Sequence, residues 1–346
     1  MEQEEFIQIA GTSIYMTEGR ATAQELSEKA GIPAEIIIEK FGLYEKRIAG
    51  RDEHVSDLAV KAARPLLEQE QVDPLEIDVL IYFGSPHKDY LVWSCATKIQ
   101  HELGLKNAYA FELMNISAGF PMALKVAKDM LRSDAHIRKI LLVGGCKEST
   151  LIDYENQRSR FMFNFGDGGA AALITRSNGL GNSTPRNRLL DYAFITNGAF
   201  HDFVKVPAGG TVQPASIESV TQSRHAIDVS NPEQMKAGLD PITLKNFVHV
   251  AQEAMERSGK AFNERTWLLP LHTKRSLFHQ LLASLGLKEE QAVYLDHFGH
   301  MSALDPLFGF HLLKEQGNLE PGDTILFLSA GTGYSWVAMV MEWVGE

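Results

Sequence analysis

Short apolar runs and amphipathic stretches alternate along the chain in an order that occurs twice. In the first half, Ile77 to Gly84 is an apolar run fit for a buried strand, and Cys95 to Leu103 has the spacing of a helix. The strand Ala108 to Leu113 follows, then the turn Asn115-Ile116-Ser117-Ala118-Gly119, a helix from about Phe120 to Leu131, and the strand Ile140 to Val143. In the second half the pattern predicts a strand over Trp267 to Leu271, a helix over Lys274 to Leu285 and a strand over Ala292 to Leu295. The turn Gly299-His300-Met301-Ser302 leads into a helix from about Asp305 to Glu315 and the strand Thr324 to Leu328. Strands alternating with helices imply an α/β fold with mainly parallel sheets. Superposing the two series sets Ser117 near His300, each on a strand-to-helix turn. One site at the junction of two duplicated halves is expected there, with helix N-termini favouring developing negative charge.

The polar stretch Arg176 to Arg186 is rich in turn residues and marks the boundary, giving halves 1–178 and 179–346. A second loop-like region, from Pro207-Ala208-Gly209-Gly210 to about Gln222, is placed to cover a site. The 346 residues are 45% hydrophobic, which excludes general disorder, and 33 Lys plus Arg against 44 Asp plus Glu make a poor generic binder of nucleic acid or anionic membrane. Two cysteines, Cys95 and Cys146, allow neither a disulfide framework nor a cysteine zinc motif. The N-terminus is acidic where a signal peptide is basic, and no apolar run reaches the roughly 18 residues of a membrane span, so a cytoplasmic protein is expected.

Three side chains are the candidates for chemistry. Ser117, at a helix start, is either a capping serine or a nucleophile; Asn115 replaces the first glycine of a nucleophile elbow, so only half of that motif is present. His272 closes an apolar strand and His300 stands in the matching turn of the repeat, which favours a shared site over two structural histidines. His297 adds a third imidazole, but no carboxylate stands at a recognisable ligand spacing and no metal is expected. The glycine-rich Ser329 to Ser335 is followed by a strand, Trp336 to Met341, instead of the helix a dinucleotide loop needs. Its backbone N–H groups suit an oxyanion hole. Phe165-Gly166-Asp167-Gly168 reads as a tight turn into the strand Ala170 to Ile174.

Taken together, Gly42 to Arg47, Phe111 to Phe120, Phe165 to Gly168, Val206 to Gly210, His272, Gly299 to Ala303 and Gly331 to Trp336 resemble the β-ketoacyl-acyl-carrier-protein synthase III family across nearly the whole chain. The resemblance implies the thiolase fold, a duplicated α/β unit in a five-layered αβαβα architecture, and a homodimer formed through the first half, with Val92 and Trp93 on a loop reaching the partner's pocket. It sets Ser117 at the family's nucleophilic cysteine, His272 at its catalytic histidine and His300 at its catalytic asparagine, a Ser-His-His constellation with Ser117 and Gly333 as oxyanion donors. Thr273-Lys274-Arg275 stand where the family continues its histidine signature, and Lys274 and Arg275 are placed to meet an acidic carrier or a phosphopantetheine phosphate. Ile36 falls where many members stack an aromatic on adenine.

The function implied is that of an acyltransferase acting on acyl thioesters, acyl-CoA or acyl-phosphopantetheine on acyl carrier protein, in fatty-acid-like or specialised metabolism. No permanently bound cofactor is expected. Ser117 needs a base, His272 or His300, and its oxygen ester is less electrophilic towards a carbanion than a thioester. Two alternatives are a non-condensing partner of an active ketosynthase homologue and an acyl-thioester hydrolase.

Overall fold

The computed structural model describes residues 6–177 and 186–345, so the expected boundary at 178 and 179 lies outside the described residues. The larger sheet has five strands: β1 (Ile7–Met16), β2 (Val79–Tyr82), β3 (Tyr109–Glu112), β4 (Lys139–Lys147) and β5 (Asp167–Arg176), in the spatial order β1, β5, β4, β2, β3. The second has β6 (Asn187–Thr196), β7 (Thr266–Pro270), β8 (Thr324–Gly331) and β9 (Ser335–Trp343), in the order β6, β9, β8, β7. The sheets are mixed, not mainly parallel. In both, the first three strands pair antiparallel, β1 with β5 and β5 with β4, β6 with β9 and β9 with β8, and parallel pairing begins at β4 with β2 and β8 with β7. The tight turn from β8 to β9 can only reverse the chain, whereas parallel neighbours need a helical crossover. The second sheet's fifth position is vestigial. Ala292–Leu295 forms a single parallel bridge, Leu268 with Ala292, in place of the expected strand.

Six helices flank the sheets: α1 (Val55–Gln69), α2 (Cys95–Glu102), α3 (Gly119–Ser133), α4 (Pro232–Arg257), α5 (Arg275–Leu285) and α6 (Asp305–Glu315). Alternation along the strands assigns each face. Ile140 and Leu142 of β4, and Ile325 and Phe327 of β8, point into a central layer filled by Phe120, Ala123 and Leu124 of α3 and by Leu307, Phe308 and Phe310 of α6. Leu141 and Val143 point the other way, against α1 and α2, and Leu326 and Leu328 against α4 and α5. The result is five layers with α3 and α6 sandwiched between the sheets. A hairpin of Gly19–Thr22 and Glu45–Ile48, with the helix Ala23–Ala30, adds a small satellite core. The region over Pro207 to Gln222 carries one short helix, Ile217–Thr221.

Close backbone approach fixes the layers. A Cβ at Gly169 on β5 would sit 2.0 Å from the carbonyl oxygen of Leu58 on α1. Gly169→Ala must push α1 off the sheet, so a loss of about 1–3 kcal/mol or more is expected, read as a lower urea midpoint.

Candidate active site

Ser117 sits in one turn of 3₁₀ helix, Ile116–Ala118, between β3 and α3. Ile116, a β-branched residue, adopts φ +48°, and Ser302 adopts φ +54° at the matching place before α6. The residues before them agree as well, Asn115 at φ −138°, ψ 34° and Met301 at φ −110°, ψ 47°. The two turns therefore superpose Ser117 on Ala303. His300 lies three residues upstream of that equivalence, a correction to the repeat register read from sequence. The turns nevertheless meet: a Cβ at Gly119 would fall 3.0 Å from the Ala303 Cβ and 2.7 Å from the Phe83 carbonyl oxygen.

Ser117 is buried, and its Oγ lies 2.9 Å from Nε2 of His300. It does not act as a cap; the residue preceding α3 is Ala118. On the other side of the ring, Nδ1 lies 2.6 Å from Oδ2 of Asp305, the first residue of α6. A carboxylate only accepts, so Nδ1–H donates to Asp305 and Nε2 is left to accept the Ser117 O–H. Burial pushes the His300 imidazolium down, but the charge and hydrogen bond of Asp305, helped by Glu148, outweigh it and hold the ring above the ordinary histidine range. Glu148 is a second buried acid on this side, accepting from Ser85 Oγ at 2.6 Å, and burial raises its own carboxyl. The Ser117 carbonyl is fixed by Ser329 Oγ at 2.6 Å.

His272 reaches the same centre by its backbone. Its N–H donates to Asp305 Oδ2 at 2.7 Å, while its ring places Nε2 3.1 Å from the Gly42 carbonyl and Nδ1 2.8 Å from Nδ2 of Asn164. The ring stacks on Tyr294, and burial lowers it to about 4, so it is neutral across the physiological range. Ser117 and His300 are thus joined directly, and both ring nitrogens of His272 are engaged elsewhere.

Gly333 lies in the β8-to-β9 turn at φ +145°, and that turn is pressed against the turn that carries Ser117: a Cβ at Gly331 would be 2.6 Å from the Asn115 carbonyl oxygen. Lys274 is exposed. Arg275 is taken up by Asp296 at 3.2 Å, Glu289 at 3.5 Å and the Tyr294 ring. Ile36 is exposed on the short helix Ala34–Ile36. Val92 is fully exposed at φ +49°, and Trp93 meets Tyr90 edge to face. Asp305 and Asn164 were not singled out from sequence. Asp305 had a signal, an acid at a helix start five residues after a candidate histidine; Asn164 had none.

A central pair of helices between two mixed sheets, with polar turns of both halves meeting at one buried point, defines a thiolase-fold acyltransferase. A family model for the C-terminal part of 3-oxoacyl-[acyl-carrier-protein] synthase III matches residues 255–343, and the model described as 3-oxoacyl-[acyl-carrier-protein] synthase III matches residues 111–198. A β-ketoacyl-[acyl-carrier-protein] synthase III of Syntrophomonas wolfei is 30% identical over 338 residues, 97% of each chain. A crystal structure of a 3-oxoacyl-(acyl-carrier-protein) synthase III superposes with a TM-score of 0.84 at 23% identity, covering 98% of this chain and all of the other. The priming β-ketosynthase of the R1128 polyketide pathway gives 0.83 at 23% identity over 98% and 97%. The chain belongs to the 3-oxoacyl-[acyl-carrier-protein] synthase III family.

If His300 accepts the Ser117 proton, reaction with an acyl thioester rises with pH through the raised value of His300, giving an acid limb above about pH 6.5 and no break near the value of His272. Asp305→Asn removes the main upward influence and the fixed tautomer. The acid limb should move to lower pH and the rate should fall by about 10²- to 10⁴-fold; an unmoved limb in a pH series of single-turnover rates contradicts the assignment.

Proposed function

We propose that the chain transfers acyl groups from a thioester, on CoA or acyl carrier protein, by way of an oxygen ester on Ser117. The observation that carries this reading is the continuous hydrogen-bond chain from Ser117 Oγ through His300 to Asp305. Oγ attacks the thioester carbon as its proton passes to His300 Nε2; the tetrahedral oxyanion collapses, the C–S bond breaks, and the thiolate leaves with that proton. The backbone N–H groups of Ser117 and Gly333 are the oxyanion donors, beside the N-terminus of α3. An alcohol or amine then attacks the ester as its proton passes to His300; the bond from the acyl carbon to Ser117 Oγ breaks, and Oγ takes that proton back.

Acyl transfer fits the residues better than decarboxylative condensation. An enolate needs donors at the thioester oxygen, yet His300 Nε2 faces Ser117 and His272 Nε2 is bonded to Gly42. His272 in this reading is a neutral wall of the site, joined to the base through Asp305. Exposed Lys274 is available to a carrier or a phosphate, whereas Arg275 already has its partners. The pathway is fatty-acid-like or specialised metabolism, with no resident cofactor. Among the described residues, no helix is long and apolar enough to cross a membrane.

A homodimer completes the reading. β3 is an edge strand with Tyr109 exposed and stacked over Phe111, and the nearby loop presents exposed Tyr90, Leu91 and Val92. Light scattering should return twice the chain mass at micromolar concentration; a monomer rejects the assembly.

With a panel of acyl thioesters, intact mass should show one acyl adduct on the wild type and none on Ser117→Ala, at equal thermal stability to within about 0.5–2 kcal/mol. Ser117→Cys should acylate at least as readily, because a thiolate forms more easily than an alkoxide. Equal turnover by wild type and Ser117→Ala, or no adduct with any donor, points instead to a non-condensing partner subunit. Thiol release without an acceptor points to a hydrolase.

A further inference from the structure

Lys46, on the strand Glu45–Ile48, has no exposure to solvent. Its Nζ donates to the carbonyl oxygens of Phe163 at 2.8 Å and Phe165 at 2.6 Å, and lies 5.4 Å from the Tyr154 ring centroid. The charged groups facing it are the Asp167 carboxylate, which also binds Ala49 N and Ser149, and the Lys29 ammonium over the same Tyr154 ring. Burial draws the ammonium down to about 7 against the pull of Asp167. So dry a cation persists only where its donors meet acceptors that would otherwise be orphaned.

Those two carbonyls flank Asn164, where both histidines are moored. The Asn164 carbonyl accepts the His300 N–H at 2.9 Å, and its side-chain amide donates to His272 Nδ1 at 2.8 Å. Next to it, Gly166 N–H donates to the His300 carbonyl at 2.9 Å, and the Phe165 ring meets the His300 ring edge-on at 5.1 Å. Gly299 packs so tightly that a Cβ there would lie 2.9 Å from the Lys46 Cβ.

We infer that Lys46 is a positioning residue for the two histidines: by fixing the carbonyls on either side of Asn164, it sets the His300 ring at proton-accepting distance from Ser117. The chemical consequence rests on Ser117 being the nucleophile; the mooring itself does not. Arginine keeps the charge and enough donors for two carbonyls, whereas methionine fills the volume and donates nothing.

The experiment uses the full chain and a fluorophosphonate, which reports serine nucleophilicity without a natural donor. Ser117 Oγ bonds to phosphorus, the P–F bond breaks with loss of fluoride, and the proton passes to His300. Lys46→Met should react about tenfold or more slowly, and Lys46→Arg within about threefold of wild type, because small misplacements of a base are costly. In parallel, imidazole ¹⁵N–¹H spectra should show the His300 Nδ1–H resonance displaced or broadened in Lys46→Met and restored in Lys46→Arg. A Lys46→Met protein with wild-type reactivity and an unmoved resonance overturns the inference. If the wild type is not labelled at all, the acyl-transfer reading fails and the spectrum alone decides: displacement upholds the role of Lys46 and an unchanged spectrum rejects it. Should Lys46→Met not fold, Lys46→Gln, which keeps one donor group, is read by the same two measurements.

Discussion

A carboxylate with no exposure to solvent must take its hydrogen bonds from the protein, and Asp305 takes three: the ring N–H of His300, the backbone N–H of Met301 and the backbone N–H of His272. Two of the donors come from the turn before α6 and the third from just after β7, so the one acid ties the end of β7 to that turn and aligns an imidazole between them. Its place at the first residue of α6 lets the helix dipole share the stabilisation of the charge. Removing it would leave two buried backbone donors and a ring without partners, at about 1–3 kcal/mol for each orphaned group. The geometry at Ser117 follows from this anchor, since the only ring nitrogen still free to accept is the one that faces the serine hydroxyl.

Much of the fold was legible because layers impose periodicity. The helix over Asp305 to Glu315 and the strands around Ile140, Trp267 and Thr324 carry the alternation that two-faced burial demands. Ala292–Leu295 has the same apolar composition but keeps only the bridge of Ala292 to Leu268, and composition alone does not reveal how far a pairing extends. The mixed pairing was hidden for a similar reason: strand direction is set by connection length and sheet order, not by the strand's own residues. At the site, Ser117 and His300 stood out by their place on the turns. Which ring nitrogen faces which partner depends on Gly42 and Asn164, residues remote in sequence and ordinary in type, so the different tasks of His272 and His300 had no signature to read.

The serine also changes what the neighbours must supply. A thiol near a helix start ionises with modest help, whereas a hydroxyl needs a base already oriented and already neutral. Here the Asp305 carboxylate orients the His300 ring and favours its protonated form, so the neutral ring is reached only as pH rises through that raised value, while burial keeps the second histidine, His272, neutral. Two imidazoles beside one acid are thus shifted in opposite directions: burial prevails at His272, whose ring does not bond Asp305, and the ring contact with Asp305 prevails over burial at His300.

The matched left-handed residues Ile116 and Ser302 have a further consequence. A β-branched residue in that conformation is intrinsically unfavourable, and the same contortion at the same place in both halves is most simply an inheritance from one ancestral turn copied with the rest of the unit. Since then the side chains have diverged: one contortion lies next to Ser117, and the other lies between His300 and Asp305, a few residues to either side. A half-molecule would carry Ser117 without His300 and Asp305, or those two without the serine. Relaxing either copy towards an easier backbone would shift the place where the two turns meet, and with it the contact between Ser117 Oγ and His300 Nε2 that spans the two halves.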